Sequence, residues 1–142
     1  MRKILALIAV CALLLAGCSS GASGKQFRQI AYSYTGGIAG FDQSMAVSAN
    51  GTFQIAEKGK PGRTGQISTA DLKALRQLVS SINWTNVEEQ YIDPRVADAI
   101  VEGLSVDLGK STYRTRVGTG GQPPAELAQL LGKLKQIYDT QK

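Results

Sequence analysis

An α+β fold, with an antiparallel sheet of about five strands and two amphipathic helices on one face, is what this sequence predicts. Three observations lead there. Short stretches of alternating apolar and polar residues come in pairs around glycine-bearing turns, the pattern of β-hairpins. Two longer stretches repeat leucine at three- and four-residue spacing, the pattern of helices with one buried side. The order is strand, strand, strand, helix, strand, strand, helix, and hairpins beside one-sided helices make a sheet with helices packed on it.

Gln26 to Tyr34 reads as the first strand, with Ile30, Tyr32 and Tyr34 alternating against Ala31 and Ser33. Tyr34-Thr35-Gly36-Gly37-Ile38-Ala39-Gly40-Phe41 follows, with three glycines within five positions. Such backbone reaches φ > 0 and approaches other surfaces closely. A glycine-rich loop that binds phosphate must open a helix whose N-terminus receives the anion. Here Asp42-Gln43-Ser44 leads instead into Met45-Ala46-Val47-Ser48, which alternates like a strand. Two readings remain: a tight strand connection whose glycines solve a steric problem, or an apolar-tipped loop offered to another protein. Ile38 and Phe41 are too apolar for an idle linker, which favours the second.

The next hairpin centres on Asn50-Gly51. A two-residue turn would put Val47 and Phe53 on opposite faces. A three-residue loop, Ala49-Asn50-Gly51 with Gly51 left-handed, pairs Val47 with Phe53 and Met45 with Ile55. A one-residue slip flips a strand's faces, so the apolar pattern selects the three-residue loop. Lys58 to Gly65 reads as a basic, mobile loop.

Ser68 caps the first helix, with Asp71 in the capping-box position and Ile67 stapled onto Leu72. Leu72, Leu75, Leu78, Val79 and Ile82 form its core stripe. Thr85 to Tyr91 reads as a short helical turn with Glu88 in the capping position relative to Thr85, broken by Asp93-Pro94. In the last hairpin Leu104, Val106 and Leu108 point inward, and a Gly109-Lys110 turn pairs Val106 with Tyr113 and Leu104 with Thr115. Val117 continues that face, while Asp107, Arg114 and Arg116 take the wetter one. Pro123-Pro124 open the final helix, with Leu127, Leu130, Leu131, Leu134, Ile137 and Tyr138 as its stripe.

At the start of the chain, Arg2 and Lys3 precede an unbroken apolar run from Ile4 to Leu15. The run is shorter than the twenty or so apolar residues a transmembrane helix needs, and has the form of a secretory signal. Its ending, Leu15-Ala16-Gly17-Cys18, resembles the lipobox of bacterial lipoproteins. The resemblance implies signal removal after Gly17 and acylation of Cys18 with chains such as palmitate. Residues 1–17 are then signal peptide, 18–25 a small, polar tether, and 26–142 a single domain. Ser19 after Cys18 carries no acidic retention signal. The expected place is therefore the outer membrane of a Gram-negative host, or the outer face of the cell membrane of a Gram-positive one. Cys11 leaves with the signal and Cys18 carries lipid, so the domain has no disulfide and depends on its core.

The formal net charge of +5 falls to +3 once Arg2 and Lys3 are removed. No dense basic run interleaved with aromatics appears, which argues against nucleic acid and leaves a modestly basic surface near anionic lipid. There is no histidine, and no cysteine beyond those two. That removes the commonest general base, zinc ligand and thiol nucleophile. The carboxylates Glu88, Glu89, Asp93, Asp98, Glu102 and Asp107 have no calcium-loop spacing. An enzyme is not expected, and no cofactor or metal is implied.

Thr35-Gly36-Gly37-Ile38-Ala39-Gly40 after a first strand, a leucine-rich helix with a Ser-x-x-Asp start, Asp98 before the fourth strand, and a proline-led final helix together resemble emfourin. That family consists of small bacterial proteins that inhibit thermolysin-like metalloproteases. The similarity covers most of Ile30 to Tyr138, and the glycine segment is its distinctive part. The chain departs from those unanchored inhibitors in its lipoprotein signal, and in the added hairpin residues Val47 to Glu57 with their basic loop. The resemblance implies a partner-binding segment of Thr35, Gly36, Gly37, Ile38, Ala39, Gly40 and Phe41, directed at a secreted metalloprotease. Such enzymes accept a bulky apolar side chain just after the scissile bond, and Ile38 would present one. The rival expectations are a binding module for another envelope protein and a structural lipoprotein with no discrete site.

Overall fold

The computed structural model describes residues 26–142. The expected signal peptide, tether and Cys18 lie outside the described residues. The fold is α+β, a seven-stranded, mostly antiparallel sheet with two helices. The strands are β1 (Gln29–Gly36), β2 (Phe41–Ser48), β3 (Thr52–Glu57), β4 (Arg63–Gln66), β5 (Gln90–Tyr91), β6 (Ile100–Asp107) and β7 (Thr112–Gly118). Their order across the sheet is β4-β3-β2-β1-β6-β7-β5, and only the β5–β7 pair is parallel. The helices are α1 (Thr69–Ser81) and α2 (Ala125–Gln141).

β1 is the central strand, hydrogen-bonded along its length to β2 and β6. The β2–β3 register pairs Val47 with Phe53 and Met45 with Ile55, and Gly51 has φ 87°. The three-residue loop expected from the apolar pattern is therefore the one formed. In the β6–β7 hairpin Val106 faces Tyr113 and Leu104 faces Thr115, also as expected. Partners in antiparallel register share a side of the sheet. Ile30, Tyr32, Met45, Val47, Phe53, Ile55, Leu104, Val106 and Val117 thus line one face, and all are buried in one cluster with the helices' apolar residues. All six residues of the expected α2 stripe are buried. On α1, Leu75 and Val79 are fully buried, while Leu72 and Leu78 are partly so.

The capping box of α1 is present: the Asp71 backbone N–H donates to Ser68 Oγ at 3.0 Å, and Ser68 Oγ donates to Asp71 Oδ2 at 2.7 Å. At the other end of α1 the Trp84 indole N–H donates to the Val79 carbonyl at 2.9 Å, satisfying one of the helix's last acceptors from a buried ring.

Three expectations are corrected. The first strand runs Gln29–Gly36 and not Gln26 to Tyr34, so Thr35 and Gly36 belong to the ladder. The segment Lys58 to Gly65 is not all loop, because Arg63–Gln66 forms edge strand β4 on β3. Gly65 looks like a loop residue but makes room for the ring of Phe53, whose Cε1 would lie 2.7 Å from an added Cβ. Thr85 to Tyr91 does not make a capped turn in which Glu88 serves Thr85. A 3₁₀ turn spans Trp84–Asn86, and the Thr85 hydroxyl donates to Asn83 Oδ1 at 2.7 Å. The chain then extends, and Gln90–Tyr91 adds to β7 as a seventh strand.

Candidate functional site

The four residues between β1 and β2 are Gly37, Ile38, Ala39 and Gly40, and the Gly40 N–H donates to the Gly37 carbonyl at 2.9 Å. Ile38 and Ala39 are therefore the two central residues of a β-turn at the tip of the hairpin. Gly37 and Gly40 flank them with φ of 71° and 61°. Ile38 is 96 % exposed and Phe41 36 %. An isoleucine that free of contacts contributes nothing to the core, and its apolar surface is available to a partner.

The base of the hairpin is held on both sides. Gly36 sits between Phe41 of β2 and Ile100 of β6 in the sheet register. Its φ is 91°, and an added Cβ would lie 2.5 Å from the Ala99 carbonyl oxygen, so only glycine fits. Thr35 is paired with Asp42 and Val101, and its hydroxyl donates to the Val101 carbonyl at 3.4 Å. Phe41 leans on Tyr34, with ring centroids 5.4 Å apart, and Lys135 Nζ of α2 lies 5.5 Å from the Tyr34 ring centre. The segment expected from the sequence is thus one unit, with two roles within it. Thr35, Gly36 and Phe41 anchor the hairpin, while Gly37, Ile38, Ala39 and Gly40 form the projecting turn.

Beside this platform lies a recess of about 290 Å³ lined by Tyr34, Ile100, Glu102, Val117, Thr119 and Lys135. The Tyr32 hydroxyl donates to Glu102 Oε1 at 2.7 Å. Burial, followed by this bond to a carboxylate, pushes the Tyr32 hydroxyl far above the ordinary phenol range. Lys135 is paired with Asp139 at 2.6 Å, which raises its pKa. A second tyrosine–carboxylate pair, Tyr138 with Glu57, closes the core on the β3 side. The pKa of Glu57 is lowered, first by Lys60 and then by Tyr138. Sequence reading missed both pairs, although Glu57 and Glu102 continue the inward alternations of Phe53-Ile55 and Leu104-Val106.

The carboxylates singled out from the sequence do not converge. Asp93 binds Arg95 at 2.8 Å, Asp107 accepts the Gly109 N–H at 2.7 Å, and Asp98 stands at φ 54° two residues before β6. Among the described residues no group of three or more His, Cys, Asp or Glu could hold a metal ion, and no helix is long and apolar enough to cross a membrane. The uncovered sheet face forms a trough of about 990 Å³ floored by small residues such as Ala31, Ser33, Ala46 and Gly103, with Arg114 and Arg116 along one side. No protein-family model matches the chain, and no curated protein matches it in sequence.

Proposed function

We propose that this chain is a lipid-anchored protein of the cell envelope that binds another protein through the β1–β2 hairpin tip. The target class we propose is a thermolysin-like metalloprotease, whose cleft takes the Ile38 side chain. The single observation that carries the reading is the near-complete exposure of Ile38 at the apex of a turn whose base is locked in the sheet. A competitive inhibitor places backbone in a cleft and remains in position, and a turn ordered before binding loses little entropy on docking. Inhibition by this route is occupancy: the turn brings neither thiol nor imidazole to the catalytic zinc. Acylation at Cys18, implied by the lipobox resemblance, places the domain at a membrane surface.

The test is paired. Ile38→Asp is compared with the unmutated protein for inhibition constant against a panel of thermolysin-like proteases and for melting temperature. Interface energy concentrates in a few anchors, so inhibition weakens by on the order of 2 kcal/mol or more. The melting temperature stays put, because the side chain packs on nothing. A lower melting temperature with undiminished inhibition would defeat the anchor role of Ile38. Absence of inhibition by the unmutated protein across the panel removes the protease and leaves a binding module for another envelope protein.

A further inference from the structure

β1 starts at Gln29, three residues after Gln26 where the described chain begins, and ends at the hairpin tip, so the start of the described chain and the tip stand at opposite ends of the central strand. Its eight residues, at about 3.3 Å each, separate them by roughly 25 Å. The end of the sheet nearest the expected tether is built around Arg28. The Arg28 N–H donates to the Asp107 carbonyl at 2.7 Å, and the Arg28 carbonyl accepts from Ala49 N–H at 2.8 Å. The residue thus lies between the β2–β3 turn and the β6–β7 turn, with its guanidinium over Gly109. Lys110 is exposed in the second of those turns, and Arg76 of α1 donates to the Ala49 carbonyl at 2.8 Å beside the first.

The charges at this end are uneven. Among the described residues Arg28, Arg76 and Lys110 take part in no ion pair. The nearby Asp71 is already bound to Lys133, and Asp107, which accepts the Gly109 N–H, keeps its charge and offsets one of the three cations. The tip end differs, because most of its cations are matched. Lys60 and Arg63 face Glu57, Arg95 faces Asp93, and Lys135 faces Asp139.

We propose that the end of the sheet formed by Arg28, Arg76 and Lys110 is a contact surface for anionic phospholipid headgroups, which holds the hairpin tip away from the bilayer. The proposal rests on acylation of Cys18 to bring this end to the membrane. Only eight residues run from Cys18 to Lys25, and at full extension they reach about 28 Å. The tether therefore keeps this end within a few Debye lengths of the headgroups, so its cations can reach the surface, where the potential acts within about one such length. The surface orients the protein and leaves Ile38 free for a partner approaching from the aqueous side.

The experiment uses residues 18–142 carrying Cys18→Ser, the mature chain without the apolar run of the signal, so that binding owes nothing to acylation or to that run. Its partition onto vesicles of phosphatidylglycerol and phosphatidylcholine is compared with that onto phosphatidylcholine alone. The anionic vesicles are preferred, and each cation removed from the surface lowers the partition about five-fold. Arg28→Gln with Lys110→Gln thus lowers it by roughly 25-fold. Lys58→Gln with Arg95→Gln, an equal change of net charge at the tip end, leaves it within about two-fold. Arg28→Lys with Lys110→Arg preserves it, since charge and not shape is read. Equal losses from the two Gln pairs, or no preference for the anionic vesicles, would overturn the proposal. Failure of acylation is seen separately, as an unmodified Cys18 peptide from the parent protein.

Discussion

Lys133 Nζ of α2 lies 2.6 Å from Asp71 Oδ1 in the first turn of α1, and both side chains are partly buried. One carboxylate therefore completes a capping box, answers the positive end of a helix and ties that helix to its neighbour. Its pKa is lowered, first by Lys133 and then by Ser68, against an opposing contribution from burial. A carboxyl with a folded pKa below its unfolded value of about 3.9 adds stability above that value, and this is lost as pH falls through the folded pKa. Asp71→Asn is expected to cost about 1 kcal/mol at neutral pH and less at pH 2. Urea midpoints of both proteins at the two pH values check this; an equal difference at both would mean that the charge is idle.

Gly36 and Gly40 both have positive φ, but for Gly36 that is half the constraint. Gly40→Ala meets open space and is expected to lose about 1 kcal/mol, the cost of the left-handed backbone alone. Gly36→Ala adds a clash with the Ala99 carbonyl and is expected to lose roughly 2–4 kcal/mol. Chemical denaturation of the two variants ranks them, and the reverse order would place the strain at the tip.

Leu75 of α1 and Leu130 of α2 are fully buried in the cluster that joins the helices to the sheet. Truncation of either to alanine is expected to cost about 2–5 kcal/mol. An unmoved denaturation midpoint for both variants would contradict the packing of the helices on the sheet.

If Cys18 is acylated, mass spectrometry of membrane-extracted protein finds no peptide from residues 1–17. The Cys18→Ser protein leaves the membrane fraction, because the acyl chains supply the anchor. Retention at the unmutated level of Cys18→Ser protein that has lost residues 1–17 excludes lipid at that residue as the anchor.

Both hairpin registers were legible because one strand face is apolar, and a slip would have exposed Val47 or Val106. The helices were legible from leucine spacing and from Ser68 with Asp71. β4 was not, because an edge strand of Arg-Thr-Gly-Gln buries almost nothing and leaves no alternation to read. β5 was hidden for a related reason: two residues pair with β7 through backbone, and backbone pairing has no signature in side chains. The glycine segment announced a special loop, but only the structure separates Gly36, which fits under Ala99, from the glycines that shape the apex. Glu102 was read only as one of several carboxylates without calcium-loop spacing, and Glu57 only as the end of a hairpin. Each sits on the inward side of its strand, where a tyrosine hydroxyl makes the position tolerable.

The strand that comes first in the fold is also its centre, and one of its two neighbours is synthesised much later. Tyr32 meets Glu102 across 70 residues of chain. Until β6 arrives, β1 carries a full row of unpaired amides and carbonyls on one edge, and until α2 arrives the inner face of the sheet is bare. The β1–β2–β3 meander can form early from local contacts, yet it is an unfinished surface with an open edge. Completion must wait for a long loop to close, which places this domain among slower folders for its size. A chain ending before Ala125 would keep the meander and lack its cover, a state prone to pairing with its own copies.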